Sequence, residues 1–110
     1  MSTSRGGRNC PLYITEFGWA TGGPGGKFTA PSATAQAQLI KTTYVSLWNA
    51  RKKFNLQGAY YYAWRDLPPP VDYNHTVPVD YWGLHTGLLT EDTLPKPALA
   101  AIFAASQQMK

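Results

Sequence analysis

This sequence is poor in the residues on which several kinds of chemistry depend. It has one cysteine, Cys10, in 110 residues. No intrachain disulfide can form, and no metal site can rest on thiolates. Cys10 reads instead as a small apolar residue just ahead of a strand. Only two glutamates occur, Glu16 and Glu91, among six acidic residues in all. No apolar run approaches the roughly 18 residues of a membrane span. The segment Met1–Asn9 has no apolar centre, so it is not a signal peptide. Secretion of a parent protein would need an export signal outside this chain, and localisation is left open.

A basic stripe is also missing. The net charge is +4 and the pI about 9.3, values that suit a polyanion partner. The cations are placed otherwise. Arg5 and Arg8 lie in a polar tail, and Arg51, Lys52 and Lys53 close a helical segment, where they complement the helix dipole. No aromatics interleave them, which argues against nucleic-acid binding. What the chain does have is aromatic residues, 7 Tyr and 4 Trp, at 14% with Phe included. Such rings pack cores and also build faces that grip sugars and other flat ligands.

Residues 1–10 read as a flexible tail and 11–110 as one structured segment. Leu12–Phe17 is a short apolar run of strand type, without strict alternation, which suits a parallel strand covered on both faces. A glycine loop, Thr21–Gly26, follows. The spacing then predicts a helix over Pro31–Phe54, with Ser32 or Thr34 as cap and Ile40, Tyr44, Leu47, Trp48 and Arg51 on one face. On this face Trp48 is expected to be core. Ala59–Trp64 reads as a second buried strand, and Arg65–Trp82 as a long loop with a polar patch at Asp72–His75. Trp82–Leu84 and Gly87–Leu89 read as short extended pieces. A last helix starts at Pro95 or Pro97, with Leu99, Ile102 and Phe103 as its apolar face. The order strand, helix, strand, helix implies parallel strands joined by a right-handed crossover. Two such units alone leave sheet edges and one sheet face without cover.

Glu16 is the foremost candidate for chemistry. A carboxylate at the C-terminal end of a parallel strand stands where barrels of such strands place catalytic groups, although an acid bonded to nearby backbone would account for it equally well from position alone. Asp66 faces the same rim but reads as a brace for the long loop beside Arg65. His75 and His85 have no partner at metal-ligand spacing. His85 is a candidate hydrogen-bond donor to a sugar hydroxyl, and Trp19, just past Glu16, either packs the rim or stacks on a ligand.

Three segments together resemble clan A glycoside hydrolases, the (β/α)8-barrel enzymes that include cellulases, mannanases, xylanases and β-xylosidases. Ile14-Thr-Glu-Phe-Gly-Trp19 resembles their seventh-strand motif, Ala59-Tyr-Tyr-Tyr-Ala-Trp64 the eighth strand, and Trp82-Gly-Leu84 through Leu94-Pro-Lys-Pro-Ala98 the approach to the eighth helix. The resemblance runs from Pro11 to Gln107. It implies an α/β fold made of the C-terminal two βα units of a TIM (β/α)8 barrel, incomplete as a chain. It makes Glu16 the nucleophile and Trp64 the platform under the sugar, with Trp19 and His85 as further substrate contacts and no cofactor or metal.

The chain departs from that family in one large respect. A retaining glycosidase needs two carboxyl groups about 5–5.5 Å apart, and the clan draws the second from an Asn-Glu pair on its fourth strand. No Asn-Glu pair occurs here, and Glu91 lies in a polar turn. A full barrel takes about 250 residues, so strands one to six are expected on a missing upstream part. The expected partners are a carbohydrate substrate and either that missing barrel part or further copies of the chain, with no nucleic acid and no membrane. The rival readings are a non-catalytic carbohydrate-binding module and a self-associating partial barrel.

Overall fold

The computed structural model describes residues 10–70 and 80–109. The polar tail with Arg5 and Arg8 and the Asp72–His75 patch lie outside the described residues. The elements run β1 (Leu12–Phe17), α1 (Ala33–Phe54), β2 (Leu56–Tyr61), a 3-10 turn at Trp82–His85, and α2 (Pro97–Gln108). This is a small α/β arrangement in which β1 and β2 pair in parallel. No described helix is long and apolar enough to cross a membrane.

Helix α1 begins and ends where local chemistry stops it. Ser32 sits in an extended conformation and its hydroxyl accepts the Ala35 N–H at 3.0 Å, which satisfies one of the unpaired donors of the first turn. At the far end Asn55 turns left-handed with φ 53°, and its N–H reaches back to the Arg51 and Lys52 carbonyls. Arg51, Lys52 and Lys53 occupy the last turn. The chain then passes directly into β2, with the Asn55 carbonyl accepting the Leu12 N–H at 3.0 Å. That bond sets the start of the parallel ladder, whose register pairs Leu12 with Leu56 and Phe17 with Tyr61.

The second strand is displaced from its expected place. It covers Leu56–Tyr61 rather than Ala59–Trp64. Strand type in Tyr62–Trp64 is real as a propensity, but a strand lasts only as long as its partner. β1 ends at Phe17, whose carbonyl accepts the Tyr62 N–H at 2.8 Å, and no β1 residue lies beyond to pair with Ala63 or Trp64. Trp82–His85 is likewise a 3-10 turn and not extended. Of the other short piece, Leu89 alone forms bridges, to Arg65 and to Pro95.

The core is thin. Ile40, Leu88 and Ala98 form its buried cluster, and Trp19, Tyr44, Tyr61, Leu99 and Ile102 pack around it. Phe17 joins this layer through edge-on contacts with Trp19, Tyr44 and Tyr61 at 5.2–5.9 Å. Two expected core positions differ. Trp48 is only half-buried, and the Arg51 guanidinium lies 3.6 Å from its ring centre in a groove also lined by Tyr44, Leu47 and Met109. Phe103 is 62% exposed, because α2 turns Ala98, Leu99, Ile102 and Ala105 inward. A short helix packs closest where its side chains are small.

Among the described residues, helices cover one face of the sheet only. Tyr61 points into the helix layer, while Tyr13, Tyr60 and Tyr62 are exposed, as are Leu12 and Trp64. A parallel sheet is normally covered on both faces, and a monomer seldom exposes more than a few hundred Å² of contiguous apolar surface. The chain is therefore expected to associate through its bare sheet face. Light scattering of the purified chain should give a mass that rises with concentration. A concentration-independent monomer with one cooperative thermal transition would show that two strands and two helices suffice alone.

Candidate functional site

The parallel ladder places Glu16 one residue before the C-terminal end of β1. Its neighbour Phe17 packs edge-on against Tyr44 and Tyr61, while Glu16 is exposed. The expectation of a first strand covered on both faces is corrected accordingly: with only one layer of helices, the strand is not enclosed. Gly18 follows for a steric reason. A Cβ there would stand 2.2 Å from the Tyr62 carbonyl oxygen, so only glycine lets β1 leave the sheet this close to the end of β2.

Glu16 opens on a cleft of about 250 Å³ lined by Phe17, Gly18, Trp19, Phe28 and Trp82 as well. Among the described residues Glu16 is thus the one charged group in an otherwise apolar wall. Trp82 is held from two sides. Its indole stacks on Tyr62 with ring centres 6.4 Å apart and planes 14° from parallel, and its Nε1–H donates to the Phe28 carbonyl at 2.7 Å. Phe28 stands in the left-handed region at φ 61° with its ring 62% exposed. For a bulky side chain this backbone costs on the order of 1–3 kcal/mol and persists only where surrounding structure enforces it. The enforcement is visible, since Ala20 donates to the Phe28 carbonyl at 2.9 Å and Ala30 donates back to Ala20 at 2.7 Å.

The remaining candidates stand elsewhere. Trp64 lies three residues past β2, 63% exposed, and does not line the cleft; its carbonyl accepts the Leu88 and Leu89 N–H groups at 3.0 and 3.1 Å. Trp19 does line it, with its backbone tied to Tyr61. His85 is engaged: its Nε2 meets Asp80 Oδ1 at 2.5 Å, and its ring packs against Gly22 and Gly23. A Cβ on Gly23 would come within 2.5 Å of that ring, and φ 82° at this position favours glycine independently. His75 lies outside the described residues. Among the described residues no group of three His, Cys, Asp or Glu side chains is placed to hold a metal.

Two buried polar networks hold the site up. In the first, Lys96 Nζ contacts both carboxylate oxygens of Asp66 at 2.8 and 2.9 Å and also donates to Thr21 Oγ1 and the His85 carbonyl. Asp66 in turn accepts the Gly87 N–H at 2.7 Å. Asp66 is thus a brace, but its main partner is a lysine 30 residues away and not its neighbour Arg65. In the second, the fully buried Gln36 donates to the Trp19 carbonyl at 2.9 Å and contacts Tyr61 Oη at 3.2 Å, while Tyr61 donates to the Thr86 carbonyl at 2.8 Å. Burial raises the Tyr61 pKa, which keeps the hydroxyl protonated for that bond. Sequence reasoning overlooked both Gln36 and Lys96. The sign of Gln36 was available, since it stands one turn before Ile40 on the apolar stripe of α1 and a polar residue there must find partners. Nothing in the sequence pairs Lys96 with Asp66.

Compared with known protein families and with curated proteins, the chain matches none.

Proposed function

We propose that this chain is the nucleophile-bearing part of a retaining β-glycosidase, two βα units of a (β/α)8 barrel. The observation that carries the reading is Glu16, an exposed carboxylate at the C-terminal end of a parallel strand and, among the described residues, the single charge lining an aromatic cleft. In this reading a Glu16 oxygen attacks the anomeric carbon as the bond to the leaving oxygen breaks, giving a glycosyl ester that water later hydrolyses. Trp19 lines the cleft, and Trp64, exposed beyond β2, offers a second aromatic surface outside it.

The proton for the leaving oxygen must come from elsewhere. Among the described residues Glu16 is the sole carboxylate in the cleft wall, Asp66 is engaged by Lys96, Asp80 by His85, and Glu91 and Asp92 are exposed in a turn. A second carboxyl from polypeptide covering the bare sheet face, about 5–5.5 Å from Glu16, would complete the pair. No cofactor enters this chemistry.

A glycoside whose leaving group departs without a proton separates the two roles. Incubation with dinitrophenyl 2-deoxy-2-fluoro-β-glycosides of glucose, mannose and xylose should add one glycosyl mass to the chain, mapped to the peptide holding Glu16. The Glu16→Gln variant should stay unlabelled. Labelling at another residue, or equal labelling of both proteins, would remove Glu16 from the role. A non-catalytic carbohydrate-binding module is the second reading, favoured by the apolar lining around Glu16. It predicts sugar binding without any labelling.

A further inference from the structure

We infer that the groove between α1 and the start of β2 binds a small planar aromatic carboxylate, its ring beside Trp48 and its carboxylate on Arg51. This is a second ligand site, at the end of the parallel sheet away from Glu16, and it does not depend on the glycosidase reading. The groove holds about 240 Å³ between Tyr44, Leu47 and Trp48 of α1, Leu56 and Ala59 of β2, and Met109 beyond α2. Pockets for drug-sized ligands run to roughly 300–1,000 Å³, so this one suits a single ring with a short substituent.

The walls follow from the sequence. Tyr44, Leu47, Trp48 and Arg51 recur at i, i+3, i+4 and i+7, so one stripe of α1 carries all four. Opposite them β2 offers Gly58 and Ala59, which are too small to fill the space. The buried cluster of Ile40, Leu88 and Ala98 lies at least a turn further back along α1. Tyr44, Leu47, Trp48, Leu56 and Met109 are accordingly all half-buried. They form an apolar surface that stands ready before any ligand arrives and that a flat ring can cover. The Tyr44 hydroxyl donates to the Ala59 carbonyl at 3.1 Å, which leaves the ring as its contribution to the wall.

Arg51 supplies the charge. Its guanidinium lies 3.6 Å from the Trp48 ring centre, and Nη1 donates to the Trp48 carbonyl at 2.5 Å. Stacking and that bond hold the plane of the fork, and the bond takes one of five N–H donors. A planar carboxylate meets such a fork with two parallel hydrogen bonds. The negative end of the helix is blunted here, because its last carbonyls are occupied. Arg51 bonds that of Trp48, and the Asn55 N–H bonds those of Arg51 and Lys52. Lys52 and Lys53 stand exposed in the same turn and add positive potential. An aryl carboxylate satisfies both halves of the groove at once, the apolar wall with its ring and the guanidinium with its charge.

The test titrates benzoate, phenylacetate and 3-phenylpropionate into the full chain, with benzamide and benzylamine as neutral and cationic controls. Indole and guanidinium N–H resonances report the site. At least one carboxylate is expected to bind saturably and to shift the indole resonance that Trp48→Phe removes. Arg51→Gln should weaken that binding by about tenfold to a hundredfold, the scale of lost hydrogen bonds to a charged group. Arg51→Lys, which keeps the charge and loses the fork, should fall between Arg51→Gln and the parent. Ala59→Leu, which fills the groove from β2, should abolish binding, and if it fails to fold Arg51→Gln decides. Glu16→Gln should bind as the parent does. No saturable binding of any carboxylate, equal affinity for benzamide, or unchanged affinity in Arg51→Gln would each overturn the site. Shifts confined to the other indoles would overturn it as well.

Discussion

Lys96→Met is expected to destabilise the chain by about 3–5 kcal/mol, the usual cost of stripping one partner from a buried ion pair. The Lys96 side chain is 6% exposed and that of Asp66 16%, so neither charge has much water to fall back on. Methionine keeps the stem of the lysine and removes its charge. Asp66 would then keep one bond, from the Gly87 N–H, for a full negative charge, and Thr21 Oγ1 and the His85 carbonyl would lose the ammonium as donor. The consequences spread because four segments meet at this one nitrogen: the loop after β1, the chain after β2, the 3-10 turn and the start of α2. Small domains have about 5–15 kcal/mol in total, and this one has a core of few large side chains, so the variant should be largely unfolded at moderate temperature. Urea denaturation followed by tryptophan fluorescence measures the loss. The double variant Lys96→Met with Asp66→Leu should recover a good part of it, since no orphaned charge is left. A single variant within about 1 kcal/mol of the parent would mean that the pair is not the clasp of the fold.

Hydrolysis by the isolated chain should depend steeply on the leaving group. General acid assistance is worth about 10²- to 10⁴-fold, and the carboxylates other than Glu16 among the described residues are engaged elsewhere or exposed in turns. Dinitrophenyl β-glycosides, which leave unprotonated, should be cleaved slowly, and alkyl β-glycosides or oligosaccharides not measurably. Glu16→Gln should abolish what activity there is. Rates across a series of aryl glycosides give the slope directly. Turnover of an unactivated oligosaccharide, lost in Glu16→Gln, would uphold the nucleophile and place an acid within the chain, with the Asp80–His85 pair the first to examine.

The parts of the fold legible in the sequence are those decided within a few residues. Ser32 caps α1 through a bond to Ala35, and Asn55 ends it by turning left-handed. Leu12–Phe17 is a strand because no helical spacing competes with it. Parallel pairing followed from the crossover, since a helix of 22 residues returns the chain to the starting edge of β1. Glu16 at the strand end follows from the same local facts.

What failed to show depended on contacts between distant segments. Ala59–Trp64 reads as the second strand, yet the ladder starts at Leu56 because Leu12 lies opposite, and it stops when β1 runs out. Trp64 was thereby carried past the sheet, and Trp82, from a turn 18 residues on, took a place in the Glu16 cleft. Phe103 has the spacing of a buried residue, but the rotation of α2 is set by Ala98 and Ala105 against α1, not by hydrophobicity alone.

The sequence by itself determined β1, the two helices, the strand-helix order, and one carboxylate at the end of a parallel strand, because hydrogen bonds and caps within one turn or one strand decide such features. Only the tertiary structure decided which aromatic rings stand beside that carboxylate and which charges are unavailable to it. Lys96 finds Asp66 across 30 residues, and Phe28 finds Trp82 across 54. No periodicity encodes either meeting, since each exists only after the layers have packed and brought those groups within reach of each other.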